Sequence, residues 1–131
     1  MIVKQLSVFI ENKGGTLIRV LELLSRSGIQ IMSSTGADTK DYGIYRLICN
    51  NTEKAFMILK EAGINTQLVD LFAISIDDEP GCAANAIKEI SNAGVNILYL
   101  YSFLWQGRGV LAFRVDDAAK AKEVIIQHNM H

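Results

Sequence analysis

The sequence predicts an α+β fold made of two βαββαβ units side by side, and three observations carry that expectation. Nearly every recognisable feature of the chain recurs at one offset of 66 residues. Each copy opens with alternating apolar residues, the mark of a strand with one face turned to a core. Each copy then passes through a glycine-containing turn into an apolar stripe with helical spacing.

The elements follow in order. Leu6, Val8 and Ile10 alternate in the first copy, as Phe72, Ile74 and Ile76 do in the second. Asn12-Lys13-Gly14-Gly15 and Asp78-Glu79-Pro80-Gly81 come next as turns. Leu17, Val20, Leu21 and Leu24 then mark one helix face, matched by Ala83, Ala86, Ile87 and Ile90. Gly28 and Gly94 stand where a left-handed residue ends such helices. Second strands are expected at about 31–36 and 97–103. Third strands are expected near 43–49 and 109–115, across the polar turns Asp38-Thr39-Lys40-Asp41 and Gln106-Gly107-Arg108. Second helices are expected to begin near Thr52 and Asp116, both able to cap a helix, with Ala55, Ile58, Leu59 and Ala62 inward in the first.

This is the split βαβ, ferredoxin-like order, with residues 1–66 and 67–131 as its two units. A continuous antiparallel sheet with the helices on one face is the expected architecture. Closing the second unit poses a problem, because the last helix runs to the end and supplies no fourth strand. Residues 65–77 contain no turn signal. Either one long strand serves both units, or Met1–Val3 fills the gap.

Composition narrows the function. Half of the 131 residues are hydrophobic, one is proline and the formal net charge is −1. A packed core is therefore expected and disorder is not. Nucleic-acid binding lacks the basic face that supplies most of its affinity. Residues 1–66 carry eight Lys/Arg against six Asp/Glu, and residues 67–131 carry five against eight. Cys49 and Cys82 form no CxxC pair, and free thiols fit a reducing compartment. With neither a leader pattern nor an 18-residue apolar run, the sequence reads as cytoplasmic and free of the membrane.

A strand followed by Asn/Asp-x-(Pro/Gly)-Gly and a helix ending Gly-(Ile/Val)-(Gln/Asn)-Ile resembles the ACT domain. The residues are Asn12-Lys13-Gly14-Gly15-Thr16-Leu17 with Gly28-Ile29-Gln30-Ile31, and Asp78-Glu79-Pro80-Gly81-Cys82-Ala83 with Gly94-Val95-Asn96-Ile97. The similarity spans nearly the whole chain, which resembles stand-alone two-ACT proteins. The resemblance implies a regulatory protein that binds a free amino acid between adjacent ACT units, as in the regulatory domains of phosphoglycerate dehydrogenase. The chemistry is intelligible in these residues. A helix N-terminus offers unpaired N–H groups to a carboxylate, glycine permits close approach, and an Asn or Asp oxygen accepts from an ammonium group.

Carried over residue by residue, one pocket combines Asn12, Lys13, Gly14, Gly15, Thr16 and Leu17 with Asn96 and Ile97. The other combines Asp78, Glu79, Pro80, Gly81, Cys82 and Ala83 with Gln30 and Ile31. The first keeps asparagine at both matching positions and is expected to fill first. The resemblance further implies no catalysis, no cofactor and no metal. A homodimer is expected, and allosteric action on an enzyme partner in trans. The alternative is an assembly module whose ligand pockets have degenerated.

Each residue also has a plainer reading. Asn12 serves equally as a helix cap. Asp77, Asp78 and Glu79 suit a helix start through its dipole without any metal. His128 and His131 are too few for a metal site, and a frayed tail is expected there. Lys13-Gly14-Gly15-Thr16 lacks the spacing of a phosphate-binding loop, and two terminal histidines suggest no hydrolytic triad. An RNA-recognition sheet shares the topology, but Val110 and Ala112 stand where its stacking aromatics are needed.

Overall fold

The computed structural model describes residues 1–11, 15–38, 42–77 and 79–130. The element order is β1 (Ile2–Glu11), α1 (Thr16–Arg26), β2 (Ile31–Asp38), β3 (Tyr42–Cys49), α2 (Thr52–Glu61), β4 (Thr66–Ile76), α3 (Cys82–Asn92), β5 (Ile97–Trp105), β6 (Arg108–Val115) and α4 (Ala118–Gln127). The chain forms two compact units: Lys4–Asp70, and Met1–Val3 together with Leu71–His131. Both long strands, β1 and β4, are thus divided between the units.

In the Lys4–Asp70 unit the strand order is β2-β3-β1-β4. Strand β1 pairs antiparallel with β3, Leu6 opposite Leu47 and Val8 opposite Tyr45. On its other side the Phe9 N–H donates to the Asn65 carbonyl at 2.9 Å. The core is built from Leu6, Val8, Val20, Leu24, Leu47 and Leu59, all fully buried. Each such side chain contributes roughly 1.5–3 kcal/mol through removal from water.

The other unit repeats this order, with β4, β6 and β5 in sequence. Its fourth strand position is taken by the N-terminal residues, where the Ala73 N–H donates to the Met1 carbonyl at 2.8 Å. Both routes to closing the second unit therefore hold together: β4 is one uninterrupted strand, and Met1–Val3 fill the vacant edge. Phe72, Ile74, Ile90, Leu111 and Phe113 form this core.

The structure corrects several local expectations. The caps are Asn51 and Asp117, not Thr52 and Asp116. These two positions obey the 66-residue offset, which the expected pair did not. Thr52 instead exchanges hydrogen bonds with the Cys49 backbone at 3.2 and 3.3 Å. Leu17 is not core; it is 45% exposed, and the inward face of α1 rests on Val20 and Leu24. Nor are β1 and β4 buried on one face alone. Gln5 and Ser7 in β1, and Leu71 and Ala73 in β4, are buried as well. Each of these strands has a hydrogen-bonded neighbour on both sides, so the alternate face is also crowded. The Gln5 amide donates to Ser7 Oγ at 3.1 Å, giving these buried polar groups a partner.

All four helices close alike. Ile29 N–H donates to Leu24 O and Ile64 N–H to Leu59 O, both at 3.0 Å. Val95 N–H reaches Ile90 O at 3.4 Å, and Met130 N–H reaches Ile125 O at 2.9 Å. These are six-to-one Schellman bonds around a left-handed residue. Asn129 at φ 54 takes that place in α4, where the other helices use glycine. Asn is the side chain that tolerates this region best after glycine. His128, expected in a frayed tail, caps α4 and lies 3.3 Å from Glu89.

Candidate functional site

The four helix starts divide into two kinds. Helix α2 is capped by Asn51, whose Oδ1 accepts from the Lys54 N–H at 3.1 Å. Helix α4 is capped the same way by Asp117 and Lys120, also at 3.1 Å. Helices α1 and α3 begin instead at Gly15 (φ 94) and Gly81 (φ 91), with no side-chain cap at that position. Neither has an acidic residue in its first turn. A Cβ built on either glycine meets nothing within 4 Å. The first N–H groups of a helix carry a partial positive charge, and at α3 the Cys82 N–H donates to the Glu79 carbonyl at 3.3 Å. Left-handed φ explains why glycine stands at both places.

The remaining site residues fall as follows. Asn12, Lys13, Gly14 and Asp78 lie outside the described residues. Thr16 and Leu17 open α1, and Cys82 and Ala83 open α3 behind the exposed Glu79 and Pro80. Gln30 and Asn96 are exposed, each just before a second strand that begins with the half-buried Ile31 or Ile97. Each unit therefore presents a glycine-started helix and, separately, a polar residue at a strand entrance.

The strand entrances are clamped. In the first unit the Gln30 N–H donates to Asn50 Oδ1 at 3.1 Å, and the Asn50 N–H returns to Gln30 O at 3.0 Å. The second unit uses Asn96 and Asp116, at 3.0 and 3.1 Å. Here a third bond is added, from the Asn96 side-chain amide to Asp116 Oδ2 at 3.0 Å.

A cleft lies beside each glycine-started helix. In the first unit it measures about 650 Å³ and is bordered by Phe9, Glu11, Thr16, Arg19 and Asn65. Arg19 is held there through Nη2, which donates to the Ala62 carbonyl at 3.2 Å. The counterpart in the second unit, about 380 Å³, is bordered by Ser75, Asp77, Cys82, Asn85 and Asn129. Most of these residues lie one repeat away from a residue of the first cleft. Arg19 becomes Asn85, so the second cleft lacks that guanidinium, and Arg108 stands 3.9 Å from Asp77 instead. A third cleft of about 350 Å³ lies on the other side of Leu17, against Ile10, Ala37 and Tyr45. Sequence reasoning missed Glu11, Arg19, Asn50 and Asp116. Carrying the 66-residue offset through every polar position, and not only the glycines and apolar residues, finds all four.

Among the described residues no group of three or more His, Cys, Asp or Glu is placed to hold a metal ion. Burial pushes the Cys49 thiol up to about 11, which keeps it protonated and unreactive at neutral pH. No helix among the described residues is long and apolar enough to cross a membrane.

Known proteins place this arrangement. A Bacteroides thetaiotaomicron protein of known structure is 33% identical, with a TM-score of 0.91 over 99% of this chain and 90% of its own. The ligand-free regulatory subunit of aspartate kinase from Thermus thermophilus shares the fold at 16% identity. Its TM-score is 0.62, over 95% of this chain and 91% of its own. The corresponding subunit from Thermus flavus gives 0.56 at 15% identity, over 95% and 90%. No curated protein matches the sequence. The profile of the ACT domain pair family matches residues 1–131. Two βαββαβ units with a glycine-started helix in each, matched along their whole length, make this chain a member of the ACT domain pair family.

Proposed function

We propose that the protein is a regulatory sensor that binds a free amino acid at the starts of α1 and α3 and acts on a partner in trans, without catalysis. The observation that carries this reading is the contrast among the helix starts. Two carry a side-chain cap, and two, both at the loops that define the family resemblance, begin at a left-handed glycine that has no side chain to cap with. A helix N-terminus that begins at glycine lets a carboxylate approach its backbone closely. Asn12 with Asn96, and Asp78 with Gln30, supply the oxygens proposed to receive the ammonium group. The resemblance to aspartate kinase regulatory subunits supports a regulatory role, since those chains carry the same fold.

A homodimer belongs to the same proposal. Strand β5 stands at the edge of its unit, uncharged over nine residues, with Leu98, Leu100, Leu104 and Trp105 exposed. Unpaired strand edges of that composition invite pairing. The same observation supports the alternative of an assembly module with silent pockets.

Thermal unfolding in the presence of each standard amino acid separates the two readings. A ligand at a hundred times its dissociation constant adds about 2.7 kcal/mol, a rise of several degrees for a chain of this size. Such a rise is expected for one amino acid or a close group of them. A flat response to all of them favours assembly.

A further inference from the structure

The clefts beside α1 and α3 are copies of one another, with one change of charge at matching positions. Phe9, Glu11, Thr16, Arg19 and Gly63 in the first lie 66 residues before Ser75, Asp77, Cys82, Asn85 and Asn129 in the second. The acid is kept, Glu11 becoming Asp77, but the guanidinium of Arg19 becomes the carboxamide of Asn85. Asp77 has a cationic neighbour, Arg108, at 3.9 Å. Among the described residues no carboxylate pairs with Arg19, whose one hydrogen bond runs from Nη2 to the Ala62 carbonyl. A guanidinium has several N–H donors, set so that its edges each present a parallel pair. A single carbonyl leaves such an edge unused, on the wall of a cleft of about 650 Å³.

We propose that Arg19 makes the first cleft a carboxylate site, so that the chain prefers an amino acid with an acidic side chain over its amide. The inference rests on the amino-acid-sensor reading and adds to it the class of side chain received. Thr16 supplies the continuity, since it both opens α1 and lines the cleft, with Arg19 three residues further along the same helix face. A carboxylate accepts through both oxygens and can take both donors of one guanidinium edge. A carboxamide has one oxygen, and its NH₂ end meets a donor with a donor. The bond to Ala62 holds the Arg19 side chain at the wall beforehand, which lowers the entropy cost of using it. Glu11 on the same cleft bars a purely anionic ligand and suits one that also carries an ammonium group. Asn85 both donates and accepts, so the second cleft has no such preference.

The experiment is calorimetric titration at neutral pH with aspartate, asparagine, glutamate and glutamine, which pair each acid with an amide of nearly the same shape. Wild type, Arg19→Gln and Arg26→Gln are compared, and wild type is also titrated with the remaining standard amino acids. Arg26 sits in the last turn of α1, away from the cleft, and its replacement removes the same charge. The quantity read is the ratio of dissociation constants, amide over acid. A loss of folding stability leaves that ratio unchanged, because it weakens both ligands alike.

The expected result is a ratio of about tenfold or more in wild type for one of the two pairs, lost in Arg19→Gln and kept in Arg26→Gln. Wild-type binding of neutral amino acids with no preference for either acid overturns the carboxylate site and leaves the sensor reading standing. An unchanged ratio in Arg19→Gln overturns it as well. An equal fall in Arg26→Gln assigns the effect to net charge and has the same consequence. Absence of binding to wild type by every standard amino acid removes the sensor reading, and this inference with it.

Discussion

Phe113→Ala is expected to cost about 3–5 kcal/mol, the range for truncating a large buried aromatic. Phe113 lies on β6, is fully buried and pairs across the strands with Phe72 on β4. The two rings are tilted, with centroids 5.9 Å apart. That geometry adds about 0.5–1.5 kcal/mol beyond the area buried. Ile90, Leu111 and Ile125 belong to the same buried cluster. A void left there has walls from β4, β6 and both helices of the unit, none of which can close it alone. Against a total stability of about 5–15 kcal/mol, the loss is a large fraction. Leu98→Ala, on the 56% exposed side chain of β5, is the control and is expected to change stability by roughly 0.5 kcal/mol or less. Urea unfolding measures both. A Phe113→Ala cost below about 1 kcal/mol would contradict the packing described.

Gly15→Val carries the second large effect, on binding more than on folding. Gly15 has φ 94, a region that β-branched residues occupy only under strain. The folded state has room for the side chain, since nothing lies within 4 Å of an added Cβ. The expected cost in stability is therefore backbone strain, about 1–3 kcal/mol. The same side chain stands at the N-cap of α1, where the carboxylate is proposed to sit. Loss of those charge-assisted bonds weakens binding at that loop by about a hundredfold. A glycine of the same conformation away from the clefts supplies the comparison. Gly63 itself lines the cleft beside α1, so the variant compared is Gly107→Val. It has φ 78 and equally open surroundings but sits in the β5–β6 turn, so it shares the strain and leaves binding intact. Equal effects of the two variants on affinity would assign the loss to destabilisation.

The fold was legible in the sequence because one offset tied every element to its copy. Two strands with the same alternation, two glycine turns and two helix-ending glycines fix the unit even where each signal is weak. The shared strand was legible only as an absence, the lack of any turn between residues 65 and 77. That absence could not say whether β4 or the N-terminus closed the second unit, and both do. The helix caps were misplaced because Thr52 and Asp116 are good cap residues in isolation. In the structure, the backbone of Cys49 claims the Thr52 hydroxyl and Asn96 claims the Asp116 carboxylate. Leu17 was counted as core because it sits at the right helical spacing.

The candidate site was legible in its glycines, which report backbone conformation directly, and much less so in its polar partners. Arg19 and Asn50 gave no sequence signal of their own and Asp116 read as a helix cap, since exposed polar residues are compatible with several roles. Their meaning comes from contacts with Ala62, Gln30 and Asn96.

The central claim is that the glycine-started ends of α1 and α3 receive the carboxylate of an amino acid. Amide chemical shifts, followed while each standard amino acid is titrated in, test it most directly. The account predicts saturable shifts, for at least one amino acid, at the amides of Thr16 and Leu17 or of Cys82 and Ala83. The side-chain-capped starts at Glu53 and Ala118 stay still. Shifts confined to other residues, or no saturable shift with any amino acid, would contradict it.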